Sequence, residues 1–133
     1  MSMSAFVAYT NFLDVGTAHE RGVLDGIMPT TKAGYYGKLL NFSEECQGRG
    51  FLFHLNSEDE RDAFQELGAE SVYELGKSGA TVEGLRCAIL KLHSKHRVAD
   101  SWTTRRDVLD FAKGLRKRSG RDKILRCVLP RVP

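Results

Sequence analysis

Residues 35–55 read YYGKLLNFSEECQGRGFLFHL. Two short, aromatic-rich apolar runs, 35–42 and 50–55, flank the polar stretch SEECQGR, with Gly48 where a reversal of direction needs it. Apolar runs of that length, bounded by polar residues and glycine, predict two strands joined as a hairpin. Upstream, residues 5–12 (AFVAYTNF) have the same aromatic and small apolar character and predict a first strand. Between them, Val15, Ala18, Val23, Leu24 and Ile27 fall at roughly helical spacing, and Pro29-Thr30-Thr31 closes the segment. Gly16, Gly22 and Gly26 weaken that helix by up to about 1 kcal/mol each.

Downstream the signals are those of helix ends. Ser57-x-x-Glu60 has capping-box spacing, and Glu58, Asp59 and Glu60 suit the positive end of a helix dipole. Gly68 reads as the stop of that helix, and residues 71–75 as a further strand or extended connection. Val82, Leu85, Ile89 and Leu92 recur every three or four positions and predict a helix over 81–97. Thr104-x-x-Asp107 repeats the capping spacing ahead of a stripe of Val108, Phe111, Ala112 and Leu115. Residues 123–129 (KILRCVL) predict a last strand ended by Pro130. The expected fold class is therefore α+β. It is a ferredoxin-like βαββαβ sheet over residues 5–75, with a basic helical extension over 76–133 and a final strand, in a single domain of 133 residues.

The run Arg49-Gly50-Phe51-Leu52-Phe53, followed by NSEDERDAFQEL, resembles the third strand and second helix of RNA recognition motif domains. Phe6, within AFVAYT, stands where that family's first strand carries an aromatic residue. The resemblance covers residues 5–75. It implies Phe6, Phe51 and Phe53 as a base-stacking platform with Arg49 near phosphate. Leu52, His54, Asn56 and Tyr9 depart from the family's pattern. Strand alternation supplies a second reading of the same residues. Phe51, Phe53 and Leu55 share the more apolar face, which places the phenylalanines in the core and makes the platform unavailable.

Charge divides the chain more sharply than its net +3 suggests. Residues 1–75 carry five basic against twelve acidic residues, net −7, and residues 76–133 carry fifteen against five, net +10. Such asymmetry points to a polyanionic or acidic partner for the second half. Mutual neutralisation of the two halves, within one chain or across a homodimer, is the competing account. The acids at the start of the Ser57 helix are accounted for by their own helix end, so the expectation is a dipolar molecule with its poles apart.

Three widely spaced cysteines (Cys46, Cys87, Cys127) suit reduced thiols inside a cell, and no stretch approaches the about 18 apolar residues of a membrane span. The expected location is cytoplasmic. Gly76-Lys77-Ser78 lacks the upstream glycine of a phosphate loop, since Ser71 stands there, and reads as a turn. His93 and His96, with Asp100 nearby, read as surface residues on a basic helix, and neither a metal, a cofactor nor a catalytic constellation is expected.

The expected function is thus non-catalytic nucleic-acid binding, RNA or single strand favoured. Phosphates would be met by Arg49, Lys91, Lys95, Arg97, Arg105, Arg106, Lys113, Arg116, Lys117, Arg118 and Arg121. The alternative is a small protein-interaction module or inhibitor. It would use the acidic Glu58, Asp59, Glu60, Asp62 and Glu66, or the basic face, to block a charged site on a larger partner.

Overall fold

The computed structural model describes the backbone of residues 4–128 and the side chains of residues 4–118. Among these residues the chain forms six α-helices and one 3-10 turn, and no sheet. The helices are α1 (Ala5–Thr10), α2 (Ala18–Asp25), α3 (Pro29–Gly48), α4 (Glu58–Tyr73), α5 (Gly79–Lys95) and α6 (Arg106–Val128), with the 3-10 turn at Trp102–Thr104. The ferredoxin-like sheet is therefore overturned, and with it the fold that the RNA recognition motif resemblance implied.

Each expected strand fails for a packing reason. In residues 5–12 the buried positions are Ala5, Ala8, Tyr9 and Phe12, at spacings of three, one and three, which form one stripe on a helix and alternate on no strand. Residues 35–42 lie inside α3, where Leu39, Phe42 and Cys46 are buried and Tyr35 is half-buried, again at helical spacing. Pro29 does not close α2. It occupies the first turn of α3, where its missing N–H costs nothing. Residues 50–55 are an extended connection whose only bridge is an isolated antiparallel one between Ser4 and His54. Residues 71–73 finish α4, and residues 123–128 continue α6 as helix. Leu129, the end of the expected last strand, lies outside the described residues.

Of the two expected capping boxes, the one at Ser57 forms its serine cap and the one at Thr104 does not, since Thr104 lies in the 3-10 turn and its hydroxyl donates to the Ser101 carbonyl at 3.0 Å. Ser57 Oγ accepts from the Glu60 backbone N–H at 3.1 Å, and Ser78 Oγ accepts from that of Ala80 at 3.1 Å. Gly68 does not stop α4. It is buried in mid-helix, where a Cβ would come 3.0 Å from Val82 Cγ1 and 3.5 Å from Phe111 Cε1. Gly76, read as a turn residue, is one, with φ +68°.

Helix α5 is central and touches α2, α3, α4, α6 and the 3-10 turn. Glu58 reaches Arg105 at one end of α4, and Tyr73 lies under Arg118 at the other, so α4 and α6 run parallel. Helix α5 runs against them: its first residue abuts Arg116, while His93 near its end bonds Ser101. At Gly79 a Cβ would sit 2.6 Å from the Arg116 backbone and 2.7 Å from the Leu115 carbonyl carbon. Backbone cannot yield as a flexible side chain does, so Gly79→Ala should push α5 off α6. The expected loss is about 1–3 kcal/mol in a urea melt, and an unchanged midpoint would show that the contact relaxes freely.

The centre of the bundle holds a polar cluster. Glu60 is wholly buried. Its Oε1 accepts from His93 Nε2 at 2.8 Å, Trp102 Nε1 at 2.6 Å and the Asn56 N–H at 2.9 Å, and its Oε2 accepts from the Tyr9 hydroxyl at 2.7 Å. On its other side His93 Nδ1 lies 2.6 Å from Ser101 Oγ, and Ser101 Oγ in turn lies 2.7 Å from Thr103 Oγ1. The expected capping glutamate thus reaches one residue beyond its serine and ties four segments together. Burial, and then the Glu60 carboxyl, push the Tyr9 phenol well above its ordinary pKa.

Three helix ends share one device. The Arg49 and Glu74 caps are followed by Gly50 (φ +74°) and Gly76 (φ +68°) in the left-handed conformation that glycine adopts freely. After the α5 cap, His96, the same conformation is taken by Arg97 (φ +56°).

Candidate nucleic-acid interface

The structure sorts the basic residues into those used inside the fold and those held out from it. Arg49 makes a two-pronged ion pair with Glu70 and a longer contact of 3.6 Å with Glu45, locking the end of α3 to α4. Hydrogen bonding from Arg49 holds the Glu70 carboxyl below its usual range. Arg86 bonds Glu83 and the Thr103 carbonyl. Arg105 meets Glu58 at 2.9 Å, lowering the pKa of that carboxyl through the hydrogen bond.

Lys95 is not a surface residue. It is 2% exposed and donates to the Asn11 and Phe12 carbonyls at 2.8 and 2.6 Å, and burial lowers its pKa. Its ammonium holds the carbonyl end of α1 against α5 and is out of reach of any phosphate. Arg49, Arg105 and Lys95 therefore carry structural partners of their own.

The other expected contacts are placed differently. On α6, the buried Val108, Ala112 and Leu115 fix one side, and Arg106, Lys113 and Lys117 project from the opposite side with Asp110 among them. Arg106, Lys113 and Lys117 have no ion-pair partner among the described residues, nor do Lys91 on α5 and Arg97 after it. Arg116 and Lys113 border a shallow depression with Glu83 and Leu109. The Arg118 guanidinium stands 4.6 Å over the Tyr73 ring. The side chain of Arg121 lies outside the described residues.

The phenylalanines occupy the interior side of the 50–55 connection. Phe53 is 7% exposed, with ring centroids 5.1 Å from Phe6, 6.0 Å from Phe42 and 6.2 Å from Tyr9. Phe6 and Phe51 are half-buried against the same core. Leu52, between the two phenylalanines of the connection, is instead 75% exposed.

Glu58 of the acidic half meets Arg105 of the basic half, and a second pair runs in the reverse sense. Besides the Glu58–Arg105 pair, Arg61 lies 3.7 Å from Asp107, so the starts of α4 and α6 are stitched by opposite charges. Exposed pairs of this kind contribute about 0.2–1 kcal/mol each. Glu60 is withdrawn into the core, and Asp59, Asp62 and Glu66 form the acidic outer side of α4 beside Phe51 and Leu52. His93, expected on the surface, is wholly buried, and no group of three or more potential metal ligands converges among the described residues.

Sequence reasoning missed Glu60, His93, Trp102 and Lys95 as organising residues. The one signal available was the single tryptophan, which carries a donor that needs a partner wherever it is buried. No helix of the described residues is long and apolar enough to cross a membrane. Comparison with protein-family models, with curated proteins and with solved structures finds no match to this chain, so its own residues carry the functional reading.

Proposed function

We propose that the chain binds nucleic acid without catalysis, through phosphate contacts made by the outer side of α6. The observation that carries this reading is the sorting of cations. Arg49, Arg86 and Arg105 meet carboxylates within the fold, while Arg106, Lys113 and Lys117 line one helix side without such partners among the described residues. From Arg106 to Lys117 the helix rises about 16 Å, the axial length of roughly five base pairs. Phosphates lie on the outside of a duplex, where a rigid basic helix meets several at once. Single strands are better served by exposed aromatic faces, and Phe53 has none to offer. Duplex is accordingly favoured over the single strand that the sequence suggested.

The test is an affinity series against short duplex DNA, duplex RNA and single strands across salt concentrations. Log K for the wild-type chain should fall linearly with log salt on duplex DNA. The double substitution Lys113→Glu and Lys117→Glu should flatten the slope by about 1.8 and weaken all sequences alike, by more than about tenfold at low salt. Absence of wild-type binding at low salt would remove the reading. The interaction module would then lead, supported by the acidic outer side of α4 next to the exposed Leu52.

A further inference from the structure

We infer that Arg97 is a dedicated phosphate-contact residue, kept at a helix end where the backbone favours glycine because its guanidinium is needed outside the fold. The inference deepens the nucleic-acid reading and rests on it. At the end of α3, the N–H of Gly50 bonds the Gln47 carbonyl and that of Phe51 bonds Cys46, the paired pattern that closes a helix through a left-handed residue. At the end of α5 the same two bonds recur, from the Arg97 N–H to the Ser94 carbonyl and from Val98 to His93. The residue in the left-handed position is glycine in the first case and arginine in the second.

Arg97 is exposed, and no ion pair or hydrogen bond of its side chain exists among the described residues. The left-handed conformation therefore holds a cation whose head has no hydrogen bond or ion pair among the described residues. Its root is firm nonetheless. Asn56 Nδ2 donates to the Ala99 and Asp100 carbonyls at 3.3 and 3.4 Å, and Asn56 Oδ1 accepts from the Trp102 N–H, fixing the loop that follows. Because α5 runs against α6, this loop lies at the end of the bundle where α6 begins with Arg106. Arg97 and Arg106 therefore lie at the same end of the bundle, both exposed. A cation near a helix C-terminus also gains from the dipole, which would suffice as a local reason for a basic residue. The experiment separates the two.

Arg97→Gly, Arg97→Lys and the Lys113→Glu, Lys117→Glu pair are compared in the full chain, by thermal melting and by salt-dependent affinity for duplex DNA. Arg97→Gly should raise Tm by about 3 °C, since the backbone relaxes. The same change should weaken binding about tenfold and lower the salt slope by about 0.9. Arg97→Lys should keep both the melting temperature and the slope. A lowered Tm for Arg97→Gly would mean the arginine serves the helix end, and the inference falls. Unchanged affinity and slope for Arg97→Gly, beside a clear loss in the α6 pair, would overturn the inference and leave the α6 interface standing. No binding by the wild-type chain would overturn both.

Discussion

Glu60→Ala should cost the protein at least about 4 kcal/mol, a large share of the 5–15 kcal/mol that holds a typical domain. The substitution removes the acceptor that Tyr9, Asn56, His93 and Trp102 share, and Tyr9, His93 and Trp102 are buried. A buried donor left without a partner loses its water as well as its bond, at about 1–3 kcal/mol each. The four losses do not add fully, because a collapsed site lets some donors find substitutes. Glu60→Gln keeps one acceptor oxygen and turns an amide toward Tyr9, whose hydroxyl can then rotate and accept, so its cost should be smaller, about 1–2 kcal/mol. Urea melts followed by the fluorescence of Trp102, the single tryptophan, report on the cluster directly. A Glu60→Ala chain within about 1 kcal/mol of wild type would show that the cluster contributes little to stability.

Phe53→Ala is the second large effect. The ring lies among Phe6, Tyr9 and Phe42 and is nearly inaccessible, so its removal leaves a cavity at the joint of α1, α3 and the 50–55 connection. The expected loss is about 3–5 kcal/mol. Nucleic-acid affinity of the fraction that remains folded should not change. The base-stacking role implied by the RNA recognition motif resemblance makes the reverse prediction: an unaltered melt and weakened single-strand binding. One variant measured both ways decides between them.

How the sequence misled is visible in particular residues. Tyr35, Tyr36, Phe51 and Phe53 are residues that strands favour, and short aromatic runs do not reveal their period by composition. The period was nevertheless present. Tyr35, Leu39, Phe42 and Cys46 step by four, three and four, and the helix shows once residues 35–46 are taken as one segment and Pro29 as its start. Cutting the segment at Phe42 hid it. The Ser57 cap and the stripes of α5 and α6 were legible because capping and helical spacing are local. The distant partners of Glu60, Tyr9, His93 and Trp102, were not, since they lie 33 to 51 positions away and nothing local marks a cap glutamate as the one that turns inward. For the interface, sequence supplied the sign and the segment of the charge. Only the bundle separates Lys95 and Arg105, which hold the fold, from Lys113 and Lys117, which do not.

The Glu60 cluster also bears on how the chain reaches its folded state. Helices α3 and α4 consist of neighbours in sequence and can nucleate on the sub-microsecond to microsecond scale of helix formation. The cluster cannot assemble so early. Its donors come from positions 9, 56, 93 and 102, and stripping water from the Glu60 carboxyl before they converge is uphill. Closure of the cluster should therefore come late in folding, after a long loop-closure entropy has been overcome. A cut beside the exposed Gly76 would leave an N-terminal piece in which Glu60 keeps Tyr9 and Asn56 but loses two of its four donors, and a C-terminal piece holding His93 and Trp102 without their acceptor. The acidic and basic halves, distinct in composition, should therefore unfold together in a single transition.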